Sequence, residues 1–417
     1  MDRELLESLF HAAVARAQPA LAVALNLPPE PLGRTIVIGA GKASAQMAKA
    51  FEEAWEGPVT GLVVTRYGYG APCDRIEIIE AAHPVPDAAG AVAARRLIAG
   101  VADLSPDDLV VALISGGGSA LLAAPGPGMT LADEQALNSA LLASGAPIGV
   151  MNAIRKELSA IKGGRLAALA YPARVATLVV SDVPGDDPAL VASGPTIASA
   201  STRAAARRLV DLYGIALPPA ASALLASADN PAPVPGDPRF ARNTVKTIAS
   251  ASLSLEAAAR RAEQDGIGAV ILSDAIEGEA REVARVHAAI AREVKTRNRP
   301  FTSPVVMLSG GETTVTLRGK GRGGRNAEFL LAFAIAIDGV DGISAFAADT
   351  DGIDGTEDNA GAHADGTTAA RLRQAGIDPA AMLANNDAYG AFEAIGDLFV
   401  TGPTGTNVND FRAILVR

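Results

Sequence analysis

Short apolar runs alternate along this chain with stretches in which apolar residues return every third or fourth position. Thr35-Ile36-Val37-Ile38 leads through Gly39-Ala40-Gly41 into a helical pattern reaching Trp55. Residues 61–64, 109–114 and 175–180 read as further strands, the last ending on Ser181-Asp182. Beyond a proline-rich stretch, 229–238, helical patterns over 253–265, 277–297 and 326–337 are interleaved with strands at 269–272, 304–308, 313–317, 343–347, 397–401 and 412–416. Strands that alternate with amphipathic helices predict an α/β fold whose sheets are covered on both faces.

The length of 417 residues exceeds one ordinary core and favours two domains. The prolines of 229–238 lack amide donors and continue neither helix nor central strand, so they mark the expected boundary. Residues 1–236 and 237–417 are then the two domains. A hydrophobic fraction of 49% is ample for both cores, and 42 glycines and 26 prolines without a fixed period suit many tight loops. No internal repeat is visible.

Charge and aromatic content narrow the partners. Only 4% of residues are aromatic and the net charge is −10. Base stacking needs aromatics and a phosphate backbone needs cations, which argues against nucleic acid. The single cysteine, Cys73, excludes an internal disulfide and a cysteine-rich metal site. The first residues are charged rather than signal-like, and no apolar run reaches membrane length. A cytoplasmic protein without a membrane partner is expected.

The chemistry is concentrated in loops. Gly39-Ala40-Gly41-Lys42 turns from strand into helix, where exposed amides and the helix dipole favour an anion. The dinucleotide fingerprint is broken there: Ser44 stands at its third glycine position, and the next strand ends Val64-Thr65-Arg66 with no ribose acid. Lys42 is either an anion ligand or a solvated lysine. Ser115-Gly116-Gly117-Gly118-Ser119 is either a phosphate nest or a tight turn. No Walker sequence occurs, so a P-loop kinase is excluded.

Asp182, just past a strand, suits magnesium held with nucleotide phosphates, or a turn aspartate; Asp186 and Asp187 read as caps or solvated acids. Gly310, Gly311 and Glu312 are candidates for phosphate contact. After them comes a glycine-rich basic stretch, 318–326, read as a mobile loop able to clamp a polyanion. Arg325, opening a helix, is its best ligand, since a planar fork meets two oxygens at once; Lys320 reads as surface. The acidic stretch 349–358 fails the EF-hand pattern, and Asp351 within it suits magnesium or proton abstraction. Residues 401–407 form a phosphate loop or a hairpin. His287 reads as structural, and His83 as able to line a site.

In order, Val37–Ala43, His83–Asp87, Ile114–Ala120, Ser181–Asp186, Leu308–Thr314, Gly323–Glu328, Asp349–Gly355 and Thr401–Asn407 resemble the class II glycerate kinases, and the resemblance spans the chain. It implies an N-terminal Rossmann-like αβα domain, a C-terminal α/β domain of the MOFRL type, and an active site in the cleft between them. It implies ATP- and magnesium-dependent phosphorylation of D-glycerate at its 2-hydroxyl. The resemblance points to Lys42 and Arg325 as the active site's principal cations, and Ser44 is expected beside them at the substrate. Gly39, Gly41 and Ser115 through Ser119, with Gly310, Gly311 and Glu312, would meet the nucleotide phosphates. Asp182 and Asp351 would hold magnesium or orient the hydroxyl. The partners implied are glycerate and ATP; assembly as a homodimer stays open.

Members of the family have also been labelled hydroxypyruvate reductases. An NAD(P)H-dependent reductase is therefore the alternative, against which the broken fingerprint and missing ribose acid stand. A non-enzymatic sensor of similar fold explains the array of cations and acids less well.

Overall fold

Leu109–Ser115 is buried at every position, which demands cover on both faces, and it lies inside a sheet as that requires. In the computed structural model, which describes residues 2–228 and 231–417, the chain divides into two compact units.

The first unit holds residues 19–183 and 187–248. Its sheet is built from β1 (Thr35–Ala40), β2 (Thr60–Arg66), β3 (Ile76–Ala81), β4 (Leu109–Ser115), β5 (Arg174–Val180) and β6 (Thr244–Ala249), in the order β3-β2-β1-β4-β5-β6. The neighbours β3-β2, β2-β1, β1-β4 and β4-β5 run parallel. Apolar positions two apart, Ile36 and Ile38 on β1 and Val110, Ala112 and Ile114 on β4, share one core with Leu97, Leu121 and Leu166.

The unit boundary differs from the expected one. Residues 229 and 230 lie outside the described residues, but Pro233 is buried and its carbonyl accepts the Ser199 amide at 2.9 Å. Pro233 thus fastens to the first unit, and β6 beyond it completes that unit's sheet. The divide falls between Ile248 and Ala249 instead of at 236.

The second unit comprises the N-terminal segment to Gln18, residues 184–186 and residues 249–417. Its strands are β7 (Gly268–Glu279), β8 (Val305–Thr314), β9 (Ile343–Asp349), β10 (Gly361–Asp365), β11 (Leu398–Phe399) and β12 (Asp410–Val416). They are ordered β11-β10-β9-β12-β8-β7, with only β7 and β8 parallel among the registered pairs. On β12, Phe411, Ala413 and Leu415 face helices Asp2–Ala17 and Ala251–Gln264, while Ile414 and Val416 face helices Ala280–Arg297 and Arg325–Ala336. The N-terminal helix therefore belongs to this unit and not to the first domain, as numbering alone suggested. Phe10 accounts for it, meeting Phe399, Phe346 and Phe411 edge to face at 5.4–5.8 Å.

Two segments expected as separate strands, 304–308 and 313–317, are instead one strand, β8. Gly310 and Gly311 pair with Phe411 and Asp410 inside the ladder. At Gly311, φ is +122°, and a Cβ there would stand 2.2 Å from the Ile276 carbonyl where β7 loses register. These glycines serve close strand approach, so they form no phosphate loop.

Candidate active site

Three chemistry-bearing loops leave the carboxyl ends of adjacent strands β1, β4 and β5. The strand order reverses between β1 and β4, where open α/β sheets bind ligands. The Lys42 amide donates to the Gly116 carbonyl at 2.8 Å, joining two of the loops. Behind them the Ser115 hydroxyl accepts from the Ala43 amide at 3.0 Å and pairs with the Ser44 hydroxyl at 2.9 Å.

Ser44 and Ser115 are both buried. Their hydroxyls brace the loop from within, which departs from the ligand contacts expected of them. Gly39 is likewise interior, paired with Val63 and Leu113 on either side. Gly41 and the Gly116–Ser119 turn remain at the strand ends.

Asp182 explains the need for glycine at 116: a Cβ there would come within 1.7 Å of its carboxylate. The acid thus lies against the turn. Lys42 is half-buried, and among the described residues no hydrogen bond or ion pair engages its ammonium. A Cβ on Gly117 would stand 3.2 Å from Lys42 Cε and 3.0 Å from His83 Nε2, so both side chains flank that glycine. Burial, then the charges of Lys42 and Arg66, lower the His83 pKa. On the far side, the Ser119 hydroxyl meets Ser193 at 2.9 Å, and Ser193 donates to Asn152 Oδ1 at 3.2 Å. Ala192 and Ser193 are held at positive φ, 51° and 60°, the kind of backbone strain that collects at functional sites.

Arg325 has different surroundings in the second unit. Because β12 starts where β8 and β9 end, Asp410 stands opposite Gly311 and Asp349. Helix Arg325–Ala336 begins at the same edge. Arg325 donates to Asp410 Oδ1 at 2.6 Å, Asp349 Oδ2 at 2.6 Å and Glu312 Oε1 at 3.1 Å. Its side chain keeps 23% exposure, an open edge on an otherwise caged fork.

Asp410 also takes bonds from Asn326 at 2.9 Å and from fully buried Arg412. Burial would raise its pKa, but Arg412 and Arg325 outweigh this and hold it down. Burial, with Asp351 alongside, pushes Asp349 well up. Asp354 accepts from the Asn326 and Ala327 amides at 2.9 and 2.8 Å, capping the helix from a distant loop, and burial raises its pKa to about 6. Glu312, expected near phosphate, is instead an ion-pair partner of Arg325.

Sequence reasoning missed Asp410, whose only local signal is an acid opening a strand.

The stretch 318–324 is not a free basic lasso. The amides of Arg318 and Gly319 bond Asn386 Oδ1 at 2.7 and 3.0 Å, and those of Lys320 and Arg322 bond Asn385 and Asp387 at 3.1 Å. Arg322 pairs with Glu393 at 2.9 Å. Asp351 is partly exposed, its Oδ1 accepting the Ile353 amide at 2.9 Å. The 401–407 loop is fastened to it, the Thr404 amide donating to the Asp351 carbonyl at 3.0 Å. Asp182 and Asp351 belong to different units, and among the described residues no group of three histidine, cysteine or acidic side chains could hold a metal.

A doubly wound parallel sheet with its switch point between β1 and β4, joined in one chain to a second, mixed sheet, defines a two-unit α/β protein without a P-loop. Residues 5–226 match the family described as domain of unknown function DUF4147, and residues 305–410 match the MOFRL family. The chain belongs to the glycerate kinase family built from these two domains.

It is 40% identical over 411 residues to the D-glycerate 2-kinase of Thermotoga maritima, covering 98% of this chain and 97% of that protein. The crystal structure of a Thermotoga maritima glycerate kinase superposes with a TM-score of 0.92 at 39% identity, covering 99% of each chain. A protein of Agrobacterium vitis whose provisional name is hydroxypyruvate reductase is 54% identical over 417 residues, covering 99% of this chain and 94% of its own. No helix is long and apolar enough to cross a membrane among the described residues.

Proposed function

We propose that the protein transfers the γ-phosphoryl group of ATP to the 2-hydroxyl of D-glycerate, yielding 2-phospho-D-glycerate and ADP. The observation carrying this reading is Lys42. Lys42 is a half-buried lysine with no acidic partner among the described residues, and an anion beside it would supply the missing countercharge. Here it stands beside a glycine turn at the switch point of the sheet, the kind of turn whose amides can hold an anion. Phosphoryl transfer asks the protein mainly for positioning and charge neutralisation, and Lys42 with the Gly116–Ser119 amides supplies both.

In the reaction the glycerate oxygen bonds to the γ-phosphorus, the bond to the bridging oxygen of ADP breaks, and the hydroxyl proton passes to a carboxylate. Asp182 and Asp351 are the candidates for that proton. Arg325 offers its open edge to an anionic oxygen of the reactants.

Magnesium fits Asp182 in one respect: a nucleotide-borne cation needs only one or two protein carboxylates, and this one lies against the glycine turn. When bound, the ion would neutralise phosphate charge. We further infer a cytoplasmic protein acting on small molecules, without nucleic-acid or membrane partners.

The reductase name borne by the Agrobacterium relative is the rival. Its cofactor would call for an acid after β2, where this chain has Arg66. Purified protein is assayed for ADP release with D-glycerate and ATP, in parallel with NADH or NADPH oxidation by hydroxypyruvate. Glycerate-dependent ADP release is the expected result. Nicotinamide oxidation without it would overturn the proposal.

A further inference from the structure

At the carboxyl edge of the first sheet, β2 ends on Arg66 and continues as Tyr67-Gly68-Tyr69. On one side, the Thr65 hydroxyl donates to the Lys42 carbonyl at 3.4 Å. On the other, the Tyr67 amide donates to the Ala81 carbonyl at 3.2 Å, two residues before His83. Arg66 is thereby set between the loop that carries Lys42 and the loop that carries His83.

The Arg66 guanidinium lies 3.9 Å from the centre of the Tyr69 ring. The Tyr69 amide, bonded to the Arg66 carbonyl at 3.0 Å, closes the turn that stacks them. Neighbouring acids are engaged elsewhere. Asp87 accepts from the Tyr67 hydroxyl and from the Gly90 amide, each at 2.9 Å, and Glu80 accepts from the Gly70 amide at 2.9 Å. No hydrogen bond or ion pair to an acid engages Arg66 among the described residues.

We propose that Arg66, braced by Tyr69, is a second anion-binding side chain beside Lys42, taking a carboxylate or phosphate oxygen of the reactants. Two neighbouring cations without an acid repel one another, and an anion between them removes that cost. Stacking leaves the donors at the rim of the guanidinium free for a bidentate bond and limits its rotamers beforehand. Its charge also helps to lower the His83 pKa, in keeping with its nearness to the Lys42 side. The inference deepens the kinase reading, on which the identity of the reactants rests.

The test uses the full chain with Arg66→Gln, Arg66→Lys and Tyr69→Leu. Binding of inorganic phosphate and of D-glycerate is measured separately by calorimetry, beside steady-state kinetics with glycerate and ATP varied independently. Losing one charge-assisted hydrogen-bonding partner should raise one of these constants by about tenfold or more in Arg66→Gln. Arg66→Lys should recover part of the loss, and Tyr69→Leu should show a smaller rise in the same constant. A rise confined to glycerate identifies the carboxylate; a rise in the constants for ATP and inorganic phosphate identifies the phosphate. All constants within about twofold of wild type would overturn the proposal, being less than one hydrogen bond is worth. If Arg66→Gln does not fold, Arg66→Lys and Tyr69→Leu decide it by the same constants. The binding measurements need no turnover, so they judge Arg66 even if kinase activity is absent.

Discussion

Asp410→Asn changes one oxygen to an amide, yet it should destabilise the second unit severely. The carboxylate accepts bonds from Arg325 at 2.6 Å, Asn326 at 2.9 Å, the Thr313 amide and hydroxyl at 3.2 and 3.3 Å, and Arg412. Donors occupy every side of it, so any placement of the new NH2 group sets donor against donor. Arg412 is the larger problem, because its side chain is wholly buried and Asp410 is its only ion-pair partner among the described residues. Stranding one charge of a buried pair costs about 3–5 kcal/mol.

For a unit of this size each kcal/mol lowers Tm by about 2–4 °C, which gives a fall on the order of 10 °C. Differential scanning calorimetry of the purified variant, following the transition that contains the second unit, measures it. The double variant Asp410→Leu/Arg412→Met, which removes both charges, should cost less than Asp410→Asn alone. A fall of less than about 2 °C in Asp410→Asn, below 1 kcal/mol on the same scale, would refute the reasoning.

Lys42→Ala should leave Tm near wild type, since among the described residues no bond to its ammonium is lost. Turnover should fall by about two to three orders of magnitude, the usual loss for one electrostatic donor to a transition state; near-normal turnover would make it a solvated lysine. Burial lowers the His287 pKa from 6.5 to about 4, with Nδ1 donating to the Val283 carbonyl at 2.8 Å and Nε2 meeting Ser309 at 3.1 Å. Because the unfolded chain takes the proton first, stability present above pH 6.5 should be lost as pH falls towards 4. Chemical denaturation across that range should show a shallower loss in His287→Gln; parallel curves would exclude this residue as the source.

What the sequence by itself determined is local. The alternation of apolar runs with helical spacing marked β1, β4, β5 and the helices between them, because periods of two and 3.6 are written within a few residues. The loops after β1 and β4 were legible for the same reason: a glycine turn after a strand exposes amides whatever lies elsewhere. Lys42 could be read from its neighbours alone as a candidate, either an anion ligand or a solvated lysine.

Tertiary structure decided whatever depended on register and on which surfaces cover one another. Phe10 packs against Phe411 because β12 offers an apolar face to both sides, and no local pattern ties residue 10 to the second unit. Gly310 and Gly311 looked like a loop, but they lie inside β8, in register with Phe411 and Asp410 of β12. Arg325 looked like a free ligand on a mobile loop. Antiparallel β12 instead brings Asp410, 85 residues away in the chain, onto its guanidinium. Such a pair is specified by strand pairing across the whole unit, so the cage around Arg325 exists only once the sheet has formed.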